Sequence, residues 1–406
     1  MKRPAPAARI LLAVVAAVLA PEAVAAEVAA LLRLDVYGGK YYLQGGGPSF
    51  GGNVFWSATP AVKISEEDAL IPMIAGQYRR TYDARELVGG SFLTHETLDN
   101  MLLLKWVHAI DDSNLVKPYF SFKNEMIAEA PGESLDRGLF NYHKYAGGLE
   151  FERLGGRLRS FRHTVSFYAV RFYNFEALTA RQFGDEVRSG SAVLDFNAFE
   201  YHMALDWLPW ERGLLTAALD GAYRVFPDQK VVTAAGTYSD RSRDDLAWGG
   251  DLGLQHRWRG WRLGKLSFEP SAGAHAGFSG LVSNQDHYEA PRLKHIRSYY
   301  NYHGLSSGPF VRLKVNRVEA GLSYDYNRRE YTQRLAQAAD GTYLDDETLY
   351  TSDHIWSLSV AVVLTEFLTF KVQGSDRTSS SNTRHERSYR YNFHAYHYFA
   401  GIGLKY

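Results

Sequence analysis

The feature that most narrows the possible folds is a two-residue period that persists along almost the whole chain. In VEAGLSYDYN (Val318–Asn327), Val318, Ala320, Leu322, Tyr324 and Tyr326 alternate with Glu319, Gly321, Ser323, Asp325 and Asn327. LTFKVQGS (Leu368–Ser375) and FEYHMALDW (Phe199–Trp207) divide in the same way. Side chains on a strand point to opposite faces in turn, so each segment reads as a strand with one apolar and one polar face. About sixteen such segments are found, beginning near Leu32, and they match the roughly 9–11 residues that a tilted strand needs to cross a bilayer.

The links between segments add a second regularity. Tight turns are read at Glu66–Ala69, Asp111–Asn114, Gly155–Ser160, Pro209–Gly213, Trp261–Lys265, Val315–Arg317 and Thr365–Phe367. Between them fall polar links, with long ones at Thr179–Asp195, Val282–Ser298, Ala338–Thr348 and Asp376–Ser388. Short turns at one end and long loops at the other are the layout of an up-and-down barrel. A water-soluble β-sandwich has no reason to sort its links this way. Trp207, Trp210, Trp258 and Trp261 flank two of the tight turns, where aromatic girdles meet the membrane interface. The expected fold is therefore all-β: a transmembrane up-and-down antiparallel β-barrel of about 16 strands, with an even strand count placing both termini on the short-turn, periplasmic side.

The N-terminus supports export. Lys2, Arg3 and Arg9 precede an apolar run from Ile10 to Ala20, and small residues follow through Ala26. That is the layout of a secretory signal peptide, and the run is too short to span a bilayer. Residues 1–26 are read as the signal and 27–406 as the barrel. The chain has no cysteine, which excludes a disulfide framework and thiolate metal sites. Removing residues 1–26 takes three basic residues and Glu22 from 45 of each sign, leaving a net charge of about −2. Nucleic acid is not an expected partner, because binding it calls for a basic excess.

The polar faces supply the expected lumen lining: Arg33, Asp35, Lys105, Lys117, Lys123, Glu125, Glu150, Glu152, Glu200, Asp206, Asp220, Arg224, Asp251, Arg257, Glu269, Arg312, Lys314, Glu319, Asp325 and Lys371. Facing lipid at the midplane would cost about 2–4 kcal/mol for each Lys or Arg, so these side chains should turn inward. There they pair across strands, and some can form a charged constriction. An enzyme is not expected. His303 and Ser306 lack a triad's spacing, and His394 and His397 lie an odd number apart, on opposite faces of a strand. The four carboxylates of Asp340–Glu347 lack the full spacing of a Ca²⁺ loop, and no metal or cofactor is assigned. The loop holding Arg377, Arg384, Arg387 and Arg390 offers guanidinium groups to lipopolysaccharide phosphates.

The final segment, HAYHYFAGIGLKY, places Tyr396, Tyr398, Ile402, Leu404 and Tyr406 on one face. Together with the signal, the alternation and the ordering of links, it resembles the bacterial outer-membrane β-barrel class over about Leu32–Tyr406, without matching a particular family. The resemblance implies an outer-membrane location. It also implies that this closing strand, with Tyr in place of the usual Phe, is the signal read by the barrel assembly machinery. Membrane lipid and lipopolysaccharide are the expected surroundings. RQFGDE (Arg181–Glu186) is only faintly similar to the constriction loop of porins. A barrel of this strand count leaves an aqueous pore. The expected function is passive passage of hydrophilic solutes, sugars among them. The alternative is the barrel component of a trans-envelope complex that exports polysaccharide or secretes protein.

Overall fold

A computed structural model describes residues 27–86, 91–129, 132–175, 192–289, 293–386 and 391–406. The signal-peptide reading of 1–26 lies outside them, as do Arg181–Glu186, Arg387 and Arg390. The first half of the wall consists of β1 (Glu27–Leu43), β2 (Ser49–Lys63), β3 (Asp68–Glu86), β4 (Ser91–Ala109), β5 (Asn114–Ala128), β6 (Tyr142–Gly155), β7 (Leu158–Phe172) and β8 (Phe196–Trp207). The second half is β9 (Gly213–Val232), β10 (Tyr238–Arg257), β12 (Leu266–Ser283), β15 (Tyr302–Val315), β16 (Val318–Gln337), β17 (Tyr343–Val363), β18 (Leu368–Ser381) and β19 (Phe393–Lys405). A stub, β11 (Trp261–Leu263), extends the link before β12, and β13 (His287–Glu289) pairs with β14 (Lys294–Ile296) in a separate hairpin.

Every wall strand runs antiparallel to its neighbours, and β1 pairs with both β2 and β19, so the 16-strand wall closes. At the seam Arg33 stands opposite Lys405 and Gly39 opposite Phe399. Leu32 and Tyr406 exchange both backbone hydrogen bonds, at 2.8 and 2.9 Å. Closure leaves no unpaired strand edge, which is the condition for a β-sheet to sit in hydrocarbon.

The two-residue period becomes two surfaces. Leu34, Trp106, Leu149, Phe167, Leu252, Val311, Leu322, Leu358 and Ile402 are all exposed, and they belong to one continuous apolar surface. A water-soluble monomer does not expose an apolar area of this extent, whereas a lipid-facing wall requires it. The other face is concave, because its side chains reach over intervening strands. Lys105 on β4 donates to Glu150 on β6 at 3.0 Å, Lys371 on β18 donates to Asp35 on β1, and Tyr41 on β1 meets His95 on β4 at 2.8 Å.

Short polar side chains shape the tight turns. Asp111 accepts hydrogen bonds from the backbone N–H groups of Ser113 and Asn114 and from the Asn114 amide. These bonds hold its carboxyl below the ordinary carboxylate range. Ser65 and Thr365 cap their turns with a hydroxyl in the same way. Asn316 takes a left-handed φ of 52° in the turn between β15 and β16.

The ordering of links needs correction. The segment read as a loop over Ala338–Thr348 is a five-residue turn, residues 338–342, because β17 begins at Tyr343. Likewise β18 continues to Ser381, so Asp376–Ser381 is strand. Residues 44–48 and 233–237 are also short links at the long-loop end. Where a long loop is absent there, cross-strand pairing carries the ladder onward, and β16 and β17 reach 20 and 21 residues.

The seam also contains a buried carboxylate with two cationic partners. Asp35 is 2% exposed and accepts from Arg33 Nε at 2.7 Å and from Lys371 Nζ, which passes over Gly403. Replacing Asp35 with Ala leaves the partly exposed Lys371 without its carboxylate and should cost about 1.5 kcal/mol. Urea unfolding in detergent micelles, followed by tryptophan fluorescence, checks this. An unchanged midpoint would mean that the backbone ladder alone holds the seam.

Candidate functional site

Several of the charged residues expected to line the lumen alternate with exposed apolar neighbours on their own strands, as Lys105 does with Leu104 and Trp106, Glu150 with Leu149 and Phe151, and Arg312 with Val311 and Leu313. Between β4 and β8 they form a matched lattice. Lys117 is held between Glu150 at 2.9 Å and Glu152, which also accepts from Ser160 at 2.6 Å. Lys123 contacts Asp99 at 2.9 Å and Glu125 at 2.7 Å, and Tyr142 donates to Glu125 at 2.5 Å. Arg162 lies 3.8 Å from Asp206. Further round, Asp220 pairs with His202 and Asp325 with His275.

The wall is not uniform. From β5 to β9 the concave face bears large groups such as Tyr119, Lys144, Tyr168 and Arg224. From β10 to β17 it is lined by Gly253, Gly273, Gly277, Gly304, Gly308 and Gly321, interleaved with serines. At Gly273 and Gly308 a Cβ would press within 2.4 Å of a neighbouring backbone carbonyl.

Two clusters fold in from the long-loop end. Over β6–β9, Tyr168, Val170, Phe172, Phe196 and Phe226 form a buried apolar group, with Phe140, Phe175 and Leu194 packed on it from the links. Asn141 is fully buried and fastens the first of these links, accepting from Ile127 N at 2.6 Å and donating to Leu135 O at 2.5 Å.

The second cluster is built on two buried arginines. Arg243 on β10 forms a two-point bond to Asp245 at 2.9 and 2.7 Å and sits between the rings of Phe226 and Tyr300 at 4.6 and 4.5 Å. Arg334 on β16 donates to the Tyr391 hydroxyl at 2.5 Å and faces Tyr299 at 4.4 Å and Tyr331 at 5.0 Å. Tyr299 and Tyr300 are adjacent in the link 284–301, so that link is tied to two strands that have β12 and β15 between them. Burial beside Arg334 pushes the His287 imidazole below its ordinary range, and burial pushes the Tyr299 phenol far up. None of these aromatic anchors was predicted; the only trace in the sequence is the Tyr-Tyr pair in a polar link.

At the short-turn end, a cavity of about 530 Å³ lies between β10, β12 and β15, lined by Arg212, Arg257, Arg259, Arg312 and Lys314 with Glu269 and Glu319. The four predicted girdle tryptophans are at this end and exposed. Trp210 donates to His256 at 2.9 Å, and Trp261 stacks on Phe268 at 5.5 Å. Trp106, Phe367 and Tyr406 join them, and the last two rings are 5.8 Å apart. In the closing segment Tyr396, Tyr398, Ile402, Leu404 and Tyr406 are all exposed on the apolar face.

His303 and Ser306 fall on opposite faces of β15, and His303 pairs with Glu330 at 3.2 Å. His394 pairs with Asp376 at 2.9 Å, whereas His397 stacks on Phe399. In the acidic turn, Asp340 caps Thr342 and Asp345 binds Lys294 at 2.6 Å, so these two carboxylates serve separate contacts.

No family model and no curated protein matches the sequence. Among solved structures, OccD3 of Pseudomonas aeruginosa is similar at a TM-score of 0.46 and 8% identity, over 93% of this chain and 91% of that one. Outer-membrane expressed OmpT of Vibrio cholerae gives 0.43 and 10%, over 95% and 99%. A bacterial polysaccharide outer membrane secretin gives 0.42 and 9%, over 93% and 98%. At these values the likeness adds nothing to the barrel already described.

If the two arginine clusters hold the link 284–301 in place, loosening them should free it. Tyr300→Ala leaves the Arg243–Asp245 pair intact, and combining it with Arg334→Ala removes about 1–2 kcal/mol per clamp. Trypsin cleavage at Lys294 and Arg297 should then speed up roughly thirtyfold or more relative to the parent protein. An unchanged cleavage rate would show that other contacts hold the link.

Proposed function

We propose that this chain is a passive channel of the bacterial outer membrane that admits hydrophilic solutes, sugars among them. The observation that carries the reading is a charged, hydroxyl-rich concave face inside a closed wall of sixteen strands. At about 4.8 Å per strand and a tilt near 40°, such a ring is roughly 30 Å across at the backbone, more than side chains can fill. The inward clusters narrow the long-loop end, and the Gly and Ser sector from β10 to β17 leaves the most room beside them. Solutes then pass along that sector.

In this reading the short turns and both termini face the periplasm and the longer links face outward, toward lipopolysaccharide. The barrel assembly machinery recognises the closing strand through the apolar row that ends at Tyr406. The barrel carries out no chemical step. Purified protein in planar bilayers should give discrete conductance steps, and liposomes containing it should swell in small sugars faster than in large ones. Conductance no higher than that of protein-free bilayers would sink the reading. Replacing Gly321 with Leu, in the small-residue sector where the nearest atom to an added Cβ is the Ser359 hydroxyl at 3.0 Å, should lower single-channel conductance by roughly a third or more while the folded barrel persists on a gel.

A further inference from the structure

Resting on that channel reading, we infer that the short-turn mouth is an anion-selecting vestibule and that Arg257 and Arg312 set its preference for small carboxylate- or phosphate-bearing solutes. Strand register places the two arginines in one row. Arg257 on β10 stands opposite Ser271 on β12, and Ser271 stands opposite Arg312 on β15. They are thus two strands apart, about 10 Å at the backbone, with only a serine between them. Both belong to the 530 Å³ cavity, and both are exposed to solvent.

Their lack of carboxylates sets them apart from the lysines of the matched lattice and the seam. Lys105, Lys117, Lys123 and Lys371 each have a carboxylate within 3.0 Å. Among the described residues, neither Arg257 nor Arg312 has one within ion-pair distance. The cavity's carboxylates are Glu269, engaged by Lys314 at 3.5 Å, and Glu319, opposite Lys314 in the next strand. With Arg212 and Arg259 at the rim, the lining holds five cations against two carboxylates, an excess of three positive charges. Arg312 lies 5.1 Å over the Phe310 ring, a contact that supplies no hydrogen-bond acceptor in the guanidinium plane. A guanidinium without a carboxylate partner presents its fork of N–H donors to whatever anion enters, and a carboxylate or phosphate fits that fork. The next free carboxylate along this sector, Asp251, is six residues up β10 from Arg257, about 20 Å away. At physiological salt, charges lose hold of each other over about 8 Å, so Asp251 does not cancel the mouth.

The experiment is the reversal potential of single channels of the whole protein under a KCl gradient, at 0.1 M and at 1 M salt. The parent protein should favour Cl⁻ over K⁺ by about threefold or more at 0.1 M and by less at 1 M, where screening shortens to about 3 Å. Arg257→Ala with Arg312→Ala should bring the ratio close to one, with folding checked by gel mobility. Arg241→Gln, on the far end of β10, should leave the ratio unchanged. Pyrophosphate and citrate should each reduce current through the parent channel and lose that effect in the double variant; a block by only one identifies which anion group the mouth takes. Steps that favour K⁺, or a double variant with the parent ratio, overturn this inference and leave the channel reading standing. A parent protein without steps overturns both.

Discussion

Pairing of β1 with β19 is the constraint on which the rest of the molecule depends. Hydrocarbon supplies no hydrogen bonds, so every backbone N–H and C=O of a spanning sheet must find its partner in another strand. An open sheet of sixteen strands would leave two edges bare. The register from Arg33–Lys405 to Gly39–Phe399 removes both at once. Space for that pairing comes from glycine. At Gly401 a Cβ would lie 2.0 Å from the Val36 carbonyl, and at Gly403 it would strike the Asp35 carboxylate and the Lys371 amine. The seam is therefore a backbone ladder with an ion pair on a buried carboxylate laid across it, and both parts fail if those two positions gain bulk.

Closure also decides what the concave face can hold. Charges turned inward leave bulk water for a confined lumen, and most are matched by a partner on the next strand or the one after it. The lattice on β4–β8 is the clearest case, with Glu150 shared by Lys105 and Lys117. Such matching fixes side chains and rigidifies the wall, and it leaves little charge for a solute. Functional charge is then to be sought where matching stops. That condition is met at the short-turn mouth by Arg257 and Arg312, and it is not met by the more deeply buried Arg243 and Arg334. The buried pair is spent on aromatic rings, Asp245 and Tyr391, and so works as structural anchoring.

What was legible in the sequence follows from the range of each interaction. Alternation is local, so β16 and its two faces could be read from Val318–Asn327 without knowing any neighbour. The inward placement of residues such as Lys371 and Glu319 came from the same period. The extent of β17 was missed because LDDET looks like loop chemistry residue by residue, whereas its pairing to β16, with Thr348 opposite Leu335, is a cross-strand fact. The contacts of Tyr299 and Tyr300 were invisible for a stronger reason. Tyr300 meets Arg243 on β10 and Tyr299 meets Arg334 on β16 because the link between β12 and β15 folds back onto the strands that flank that pair, and no spacing in the chain encodes that meeting. The vestibule is an intermediate case: its arginines were on the expected lining, but their lack of carboxylate partners depends on register.

The two ends of the barrel thus solve different problems with the same residue type. At the long-loop end, arginine is buried between rings, where its planar cation stacks on aromatic faces and ties a link to the wall. Desolvating such a cation is tolerable only with a full set of partners, and Arg243 has Asp245, Gln229, Phe226 and Tyr300. At the short-turn end, Arg257 and Arg312 are exposed, Arg312 over the Phe310 ring, where keeping them hydrated costs little and leaves their donors without a carboxylate. On the proposed channel reading, packing narrows the wall at one end and unpaired charge selects at the other, so the same residue type does opposite work according to what surrounds it.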